Sequence, residues 1–98
     1  MEVEFASNRL AIASASLSEA TRLFGTAIGR KYIQRVAVIR AVGKFSDLYG
    51  HQSLRLHPLK GNREGQFAIT LTANYRLILM QVNEDAVRIL NVEDYHGN

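Results

Sequence analysis

The sequence predicts an α+β fold, with an N-terminal strand and helices packed on one face of a mostly antiparallel sheet. Three observations carry this expectation. Apolar residues in the first half recur at helical spacing, the period drops to two after Gly50, and the helices precede a run of strands rather than alternating with them. A chain of 98 residues suits one domain, residues 1–98, with a single core.

The elements follow in order. "EVEFA" alternates Glu2 and Glu4 with Val3 and Phe5, the pattern of a half-buried strand. Ser7 or Asn8 can cap a brief helix through "NRLAIASA", and Ser16 with Glu19 has capping-box spacing ahead of a second helix that Gly25 ends. "AIGRKYIQRVAVIRAV" sets Ile28, Tyr32, Val36 and Ile39 on one stripe, so it reads as a third, amphipathic helix with Tyr32 in the core. Gly43 stops it, and "KFSDLYG" makes a short final turn. "SLRLHPL" then alternates Leu54 and Leu56 with Arg55 and His57, which predicts a strand; Pro58 confines it to an edge or a strand end. "KGNREG" is a loop, and "QFAITLT" a strand with Phe67, Ile69 and Leu71 on one face. "YRLILMQV" is apolar on both faces, as a central strand is, and "NED" turns the chain into the last strand, "AVRILNV".

Composition narrows the chemistry. There is no cysteine, which excludes disulfides, thiolate nucleophiles and cysteine-ligated zinc. No apolar run reaches the ~18 residues of a membrane span, and "MEVEFAS" carries acid where a secretion signal carries positive charge, so a cytoplasmic protein is expected. The net charge of +3 is unevenly spread: Arg22, Arg30, Lys31, Arg35, Arg40 and Lys44 form a one-signed segment, whereas acids and bases balance beyond Leu54. An anionic partner facing the N-terminal half fits that asymmetry.

Four polar clusters remain once the core positions are removed: His57 with Lys60, Arg63 in the glycine loop, Arg76 early in the central strand, and the terminal Asp94, Tyr95 and His96. A meander can bring them to one sheet surface. The inventory suits metal-free RNA cleavage, which needs a base for the 2′-hydroxyl, a cation for the charge developing on the phosphate, and an acid for the leaving 5′-oxygen. Each residue also has a plainer reading. A lone strand histidine is commonly a solvated hydrogen-bonder, Arg76 can pair with Asp94, Arg63 is a loop arginine, and Glu93 and Asp94 are ordinary strand-end charges.

The ordered pieces "LHPLKGNREGQFAITL", "NYRLIL" and "VRILNVEDYH", with the short "EFAS" start, resemble the HigB branch of the RelE toxin superfamily over nearly the whole chain. The resemblance implies a RelE-like fold with a concave face opposite the helices. It implies an endoribonuclease of a type II toxin-antitoxin module, cutting messenger RNA in the ribosomal A site without a metal or other cofactor. By position it makes His57, Lys60, Arg76, Asp94 and His96 the catalytic set, with Arg63 and Tyr95 as substrate contacts. His57 and His96 share the base and acid roles in an order the sequence leaves open. Lys31, Arg35 and Arg40 become candidates for docking on ribosomal RNA. The implied partner is a HigA-like helix-turn-helix antitoxin, through which contact with DNA is indirect. Pro58 departs from an ideal strand beside His57 and puts the aim of that imidazole in question. A competing reading is a non-catalytic toxin of the same fold that docks on a target, as the ParE branch does on gyrase.

Overall fold

The computed structural model describes residues 1–94, so Tyr95, His96, Gly97 and Asn98 lie outside the described residues. Within 1–94 the order is β1 (Glu2–Phe5), α1 (Asn8–Ala15), α2 (Leu17–Phe24), α3 (Thr26–Ala41), β2 (His57–Pro58), β3 (Gln66–Thr70), β4 (Tyr75–Asn83) and β5 (Ala86–Asp94). Short 3-10 turns occupy Phe45–Gly50, Gln52–Leu54 and Gly61–Arg63. No helix among the described residues is long and apolar enough to cross a membrane.

The helix boundaries follow from their caps. Ser7 accepts from the Leu10 amide and Ser16 from the Glu19 amide, each satisfying a donor that the first helical turn leaves open. Gly25, at φ 86°, ends α2 with its amide on the Thr21 carbonyl and opens α3 at once. The α3 stripe buries Tyr32, Val36 and Ile39, with Ile28 half-buried. Tyr32 donates its hydroxyl to the Leu10 carbonyl at 2.6 Å, which resolves the cost of burying a phenol and ties α3 to α1. Burial also pushes that phenol well above its ordinary range, so it stays neutral.

Gly29 is a point of close approach. A Cβ there would stand 2.9 Å from the carbonyl carbon and oxygen of Ala20, so α2 and α3 meet main chain to main chain. Gly29→Ala gains about 1 kcal/mol of helix propensity but overpacks backbone atoms that cannot swing aside, at about 1–3 kcal/mol. Net destabilisation is expected in urea unfolding. Gly50→Ala, with nothing within 4 Å of its Cβ, is the neutral control.

The sheet runs β1-β5-β4-β3-β2, with β4 central as its two apolar faces require. The β2–β3, β3–β4 and β4–β5 pairs are antiparallel, and β1 joins β5 in parallel, Glu2 opposite Ala86 through Phe5 opposite Ile89. Helices and sheet enclose a core of Leu10, Tyr32, Val36, Ile39, Ile69, Leu77, Leu79, Val87 and Ile89 among others. Phe45 extends it edge-on against Phe67, centroids 4.9 Å apart.

One expected strand is mostly absent. "SLRLHPL" supplies only His57 and Pro58 as β2, because residues 52–54 coil into a 3-10 turn and Arg55 takes a left-handed conformation, φ 51° and ψ 44°. The alternation still holds in its effect: Leu54 and Leu56 are buried while Arg55 and His57 are exposed. Side-chain period was legible there, but backbone pairing was not.

Candidate active site

Partners directly across a ladder share a face, so the register sorts the sheet into two surfaces. Leu77, Leu79, Val87, Ile89 and Val92 face the helices. The open face carries three rows: His57, Ala68, Ile78 and Asn91; Thr70, Arg76 and Glu93; and Gln66, Met80 and Arg88. Polar residues crowd one end of that face.

A bulge decides which residues those are. Leu79 pairs with Ile89 but Ile78 pairs with Asn91, so Leu90 is an extra residue on β5. Continuing the alternation from Val87 and Ile89 would turn Asn91 and Glu93 toward the helices. The extra residue shifts the count by one and turns them to the open face, bringing Val92 to the core instead. Glu93 therefore stands opposite Arg76.

Glu93 is the centre of an ion network. Arg63 reaches across from the Gly61–Arg63 turn and clamps it with both ends of the guanidinium, Nη1 to Oε1 at 2.7 Å and Nη2 to Oε2 at 2.6 Å. Gln66 steadies Arg63 from beneath, its Oε1 accepting from Nε at 3.1 Å and Nη2 at 2.9 Å. Arg76 approaches the same carboxylate, Nη2 to Oε1 at 3.8 Å, with only 14% of its side chain exposed. The hydrogen bonds from Arg63 hold the Glu93 carboxyl below its usual range, partial burial opposes them, and the charge of Arg76 adds to the depression. The same bonds raise Arg63 further. Glu93 is consequently held as an anion at neutral pH.

A cleft of about 240 Å³ lies at this end, lined by Arg55, His57, Thr70, Thr72, Tyr75 and Arg76 with Ala73. His57 and Arg76 both line it. The His57 Nδ1 lies 2.8 Å from the Arg55 carbonyl, which can only accept, so Nδ1 is the donor in this bond. This tether answers the question raised by Pro58. The proline sits on a two-residue edge strand where its missing donor costs the sheet little, and the ring is aimed from Arg55 instead.

The other expected residues fall as follows. Lys60 is exposed at the start of the Gly61–Arg63 turn, on the chain that leaves His57. Asp94 ends β5 opposite Tyr75, one residue out of phase with Glu93. His96 and Tyr95 lie outside the described residues. On α3, Lys31 is exposed, whereas Arg35 donates from Nε to the Thr70 carbonyl at 3.0 Å and so joins the helix layer to the strand behind the cleft. Arg40 stacks over Phe5, 5.7 Å from the ring centroid. The three basic residues thus have three different settings.

Sequence reasoning passed over Arg55 and Glu93. Nothing in "LRLH" distinguishes Arg55 from any polar strand residue. Glu93 was set aside as a strand-end charge because its partner, Arg63, is thirty positions away and the bulge that turns it is invisible to periodicity.

No protein-family model matches the chain. A curated protein, endoribonuclease HigB from Proteus vulgaris, is 56% identical over 45 residues, 46% of this chain and 48% of that protein. The chain thus aligns to about half the length of the curated relative it matches. Among solved structures, the YoeB/ParE toxin from Agrobacterium tumefaciens superposes with a TM-score of 0.60 at 11% identity, covering 98% of this chain and 100% of that one. YafQ from E. coli does so at 0.61 and 12%, covering 95% and 91%. The YoeB dimer from Staphylococcus aureus gives 0.56 and 13%, covering 98% and 97%. At such identities the likeness is one of architecture, shared with the YoeB/ParE toxin, YafQ and YoeB structures. Over those 45 matched residues the chain is similar to HigB.

Proposed function

We propose that this chain is an endoribonuclease toxin that cleaves messenger RNA by internal attack of a 2′-hydroxyl on the adjacent phosphate. The observation that carries the reading is that His57 and Arg76 line one cleft, with the imidazole Nδ1 held by the Arg55 carbonyl. The named activity of the HigB relative agrees with it.

In this reading the 2′-oxygen forms a bond to phosphorus as its proton passes to a base, and the bond to the 5′-oxygen breaks as an acid protonates it. The products are a 2′,3′-cyclic phosphate and a 5′-hydroxyl. His57 takes one of the two proton-transfer roles and His96 the other. Arg76 and Lys60 stabilise the charge that grows on the non-bridging oxygens, the guanidinium as a planar fork and the ammonium as a point charge. Asp94 orients an imidazole, and Tyr95 contacts the substrate. The message is presented by the ribosome, on which Lys31 and Arg40 supply phosphate contacts, with Arg35 contributing what its brace to Thr70 leaves exposed. A HigA-like helix-turn-helix antitoxin holds the toxin in check.

The test is incubation of the purified protein with a defined messenger, free with EDTA present and on programmed ribosomes in magnesium buffer. Fragments with cyclic-phosphate ends are expected, most of them from the ribosome-bound message. Intact message in both arms, together with growth arrest on induction in cells, would replace this reading with a docking toxin.

A further inference from the structure

We infer that Glu93 and Arg63 are positioning residues for Arg76: Glu93 is the carboxylate that lets two guanidiniums share the open face, and Arg63 braces it instead of binding RNA. The inference rests on the ribonuclease reading and assigns a job to two residues that reading leaves aside or misplaces.

Donor arithmetic carries the first step. A guanidinium has five N–H donors. Among the described residues, Arg63 donates from Nε and Nη2 to Gln66 and from Nη1 and Nη2 to Glu93, four bonds in all. One N–H remains, so Arg63 cannot offer a phosphate the paired, parallel bonds that make arginine a strong phosphate ligand. Its fork is committed to Glu93.

Geometry carries the second. Glu93 accepts from Arg63 at hydrogen-bond distance through both oxygens, whereas Arg76 stands 3.8 Å from Oε1. That contact steers by charge, not by a hydrogen bond. Arg76 also lines the cleft with His57, and Arg63 is not among the cleft's lining residues. The bulge at Leu90 is what brings Glu93 to this face, so the arrangement depends on an irregularity of β5.

Electrostatics carries the third. Without Glu93 the guanidiniums of Arg63 and Arg76 lose the anion they share, and their mutual repulsion acts against the line in which Arg76 is held. With it, the trio keeps one net positive charge, so the face still attracts a phosphate while Arg76 is held in place. Among the described residues, the groups facing the Glu93 carboxylate are Arg63 from the turn, Arg76 from β4, and Asn91 on its own strand, whose Nδ2 lies 3.4 Å away.

Glu93→Gln tests this. The neutral amide leaves more positive charge on the face, so KM for the messenger is expected to stay level or fall, while kcat falls about tenfold or more as Arg76 loses its line. Arg63→Ala should lower kcat similarly, and the double variant should be no worse than either single one, because both remove the same support. Glu93→Asp should recover part of the loss. A readout free of catalysis accompanies these. A carboxylate held below its ordinary value contributes stability that is present above that value and is lost as pH falls through the lowered one, so the wild-type Tm should drop over that acid range more than the Tm of Glu93→Gln. An active wild type with unchanged kcat in Glu93→Gln overturns the inference alone. A raised kcat overturns it too, making Glu93 a competitor of the phosphate. A wild type that leaves RNA intact overturns the ribonuclease reading and the inference together.

Discussion

Arg76→Lys is expected to lower messenger cleavage by about a hundred- to a thousandfold, the range found when one donor to a developing oxyanion is removed. The substitution keeps the unit charge, so RNA binding should change little. It loses the planar fork, so two oxygens of the pentavalent phosphate can no longer be held at once. The half-buried position sharpens the expectation, since a side chain only 14% exposed acts where water screens it less. The measurement is single-turnover cleavage on programmed ribosomes, with RNA binding and Tm as controls for affinity and folding. Cleavage within about threefold of wild type would remove Arg76 from the chemistry.

His57→Gln should cost about 10²- to 10⁴-fold, the usual worth of a positioned proton-transfer group. Glutamine can still hydrogen-bond near the Arg55 carbonyl, so the local backbone should hold, but its amide cannot exchange a proton at working pH. The pH dependence of the rate is the more telling readout. An imidazole acting as base loses activity as acid protonates it, and an imidazole acting as acid loses activity as the medium becomes alkaline. Whichever limb disappears from the profile of His57→Gln identifies its role and leaves the other to His96. A profile with both limbs intact would return His57 to the class of solvated strand histidines.

How much of this was legible depended on the range of the interaction that decides each feature. Ser7, Ser16 and Gly25 act within a few residues, so the helix ends could be read directly from the sequence. The stripe through Tyr32, Val36 and Ile39 is a local period as well, and it proved to be the buried face of α3. The centrality of β4 was visible because burial on both sides demands apolar residues on both. The parallel partner of β1 was not, since Val3 and Phe5 state that a strand is half-buried without saying beside what. The site divides along the same line. His57 and Arg76 could be nominated by chemical type, but the tether to the Arg55 carbonyl follows from a left-handed residue that no alternation announces. Glu93 reads as an ordinary strand-end charge, because neither its partner Arg63, thirty positions away, nor the bulge at Leu90 shows in a local pattern.

The placement of β5 between β1 and β4 has a consequence for how the molecule assembles. Glu4 and Arg88 pair at 2.8 Å across 84 positions of chain, and β5 also carries Glu93 beneath Arg76. Pairing over such separations is intrinsically slow, because loop closure must be met before the contact rewards it. During synthesis, the helices and the β3–β4 hairpin can form while the first strand still has an open edge and Arg63 still lacks its carboxylate. Only the arrival of residues 86–94 fills both places at once. The same late strand therefore joins β1 to the sheet and completes the charge network, so a chain stalled before β5 would have neither.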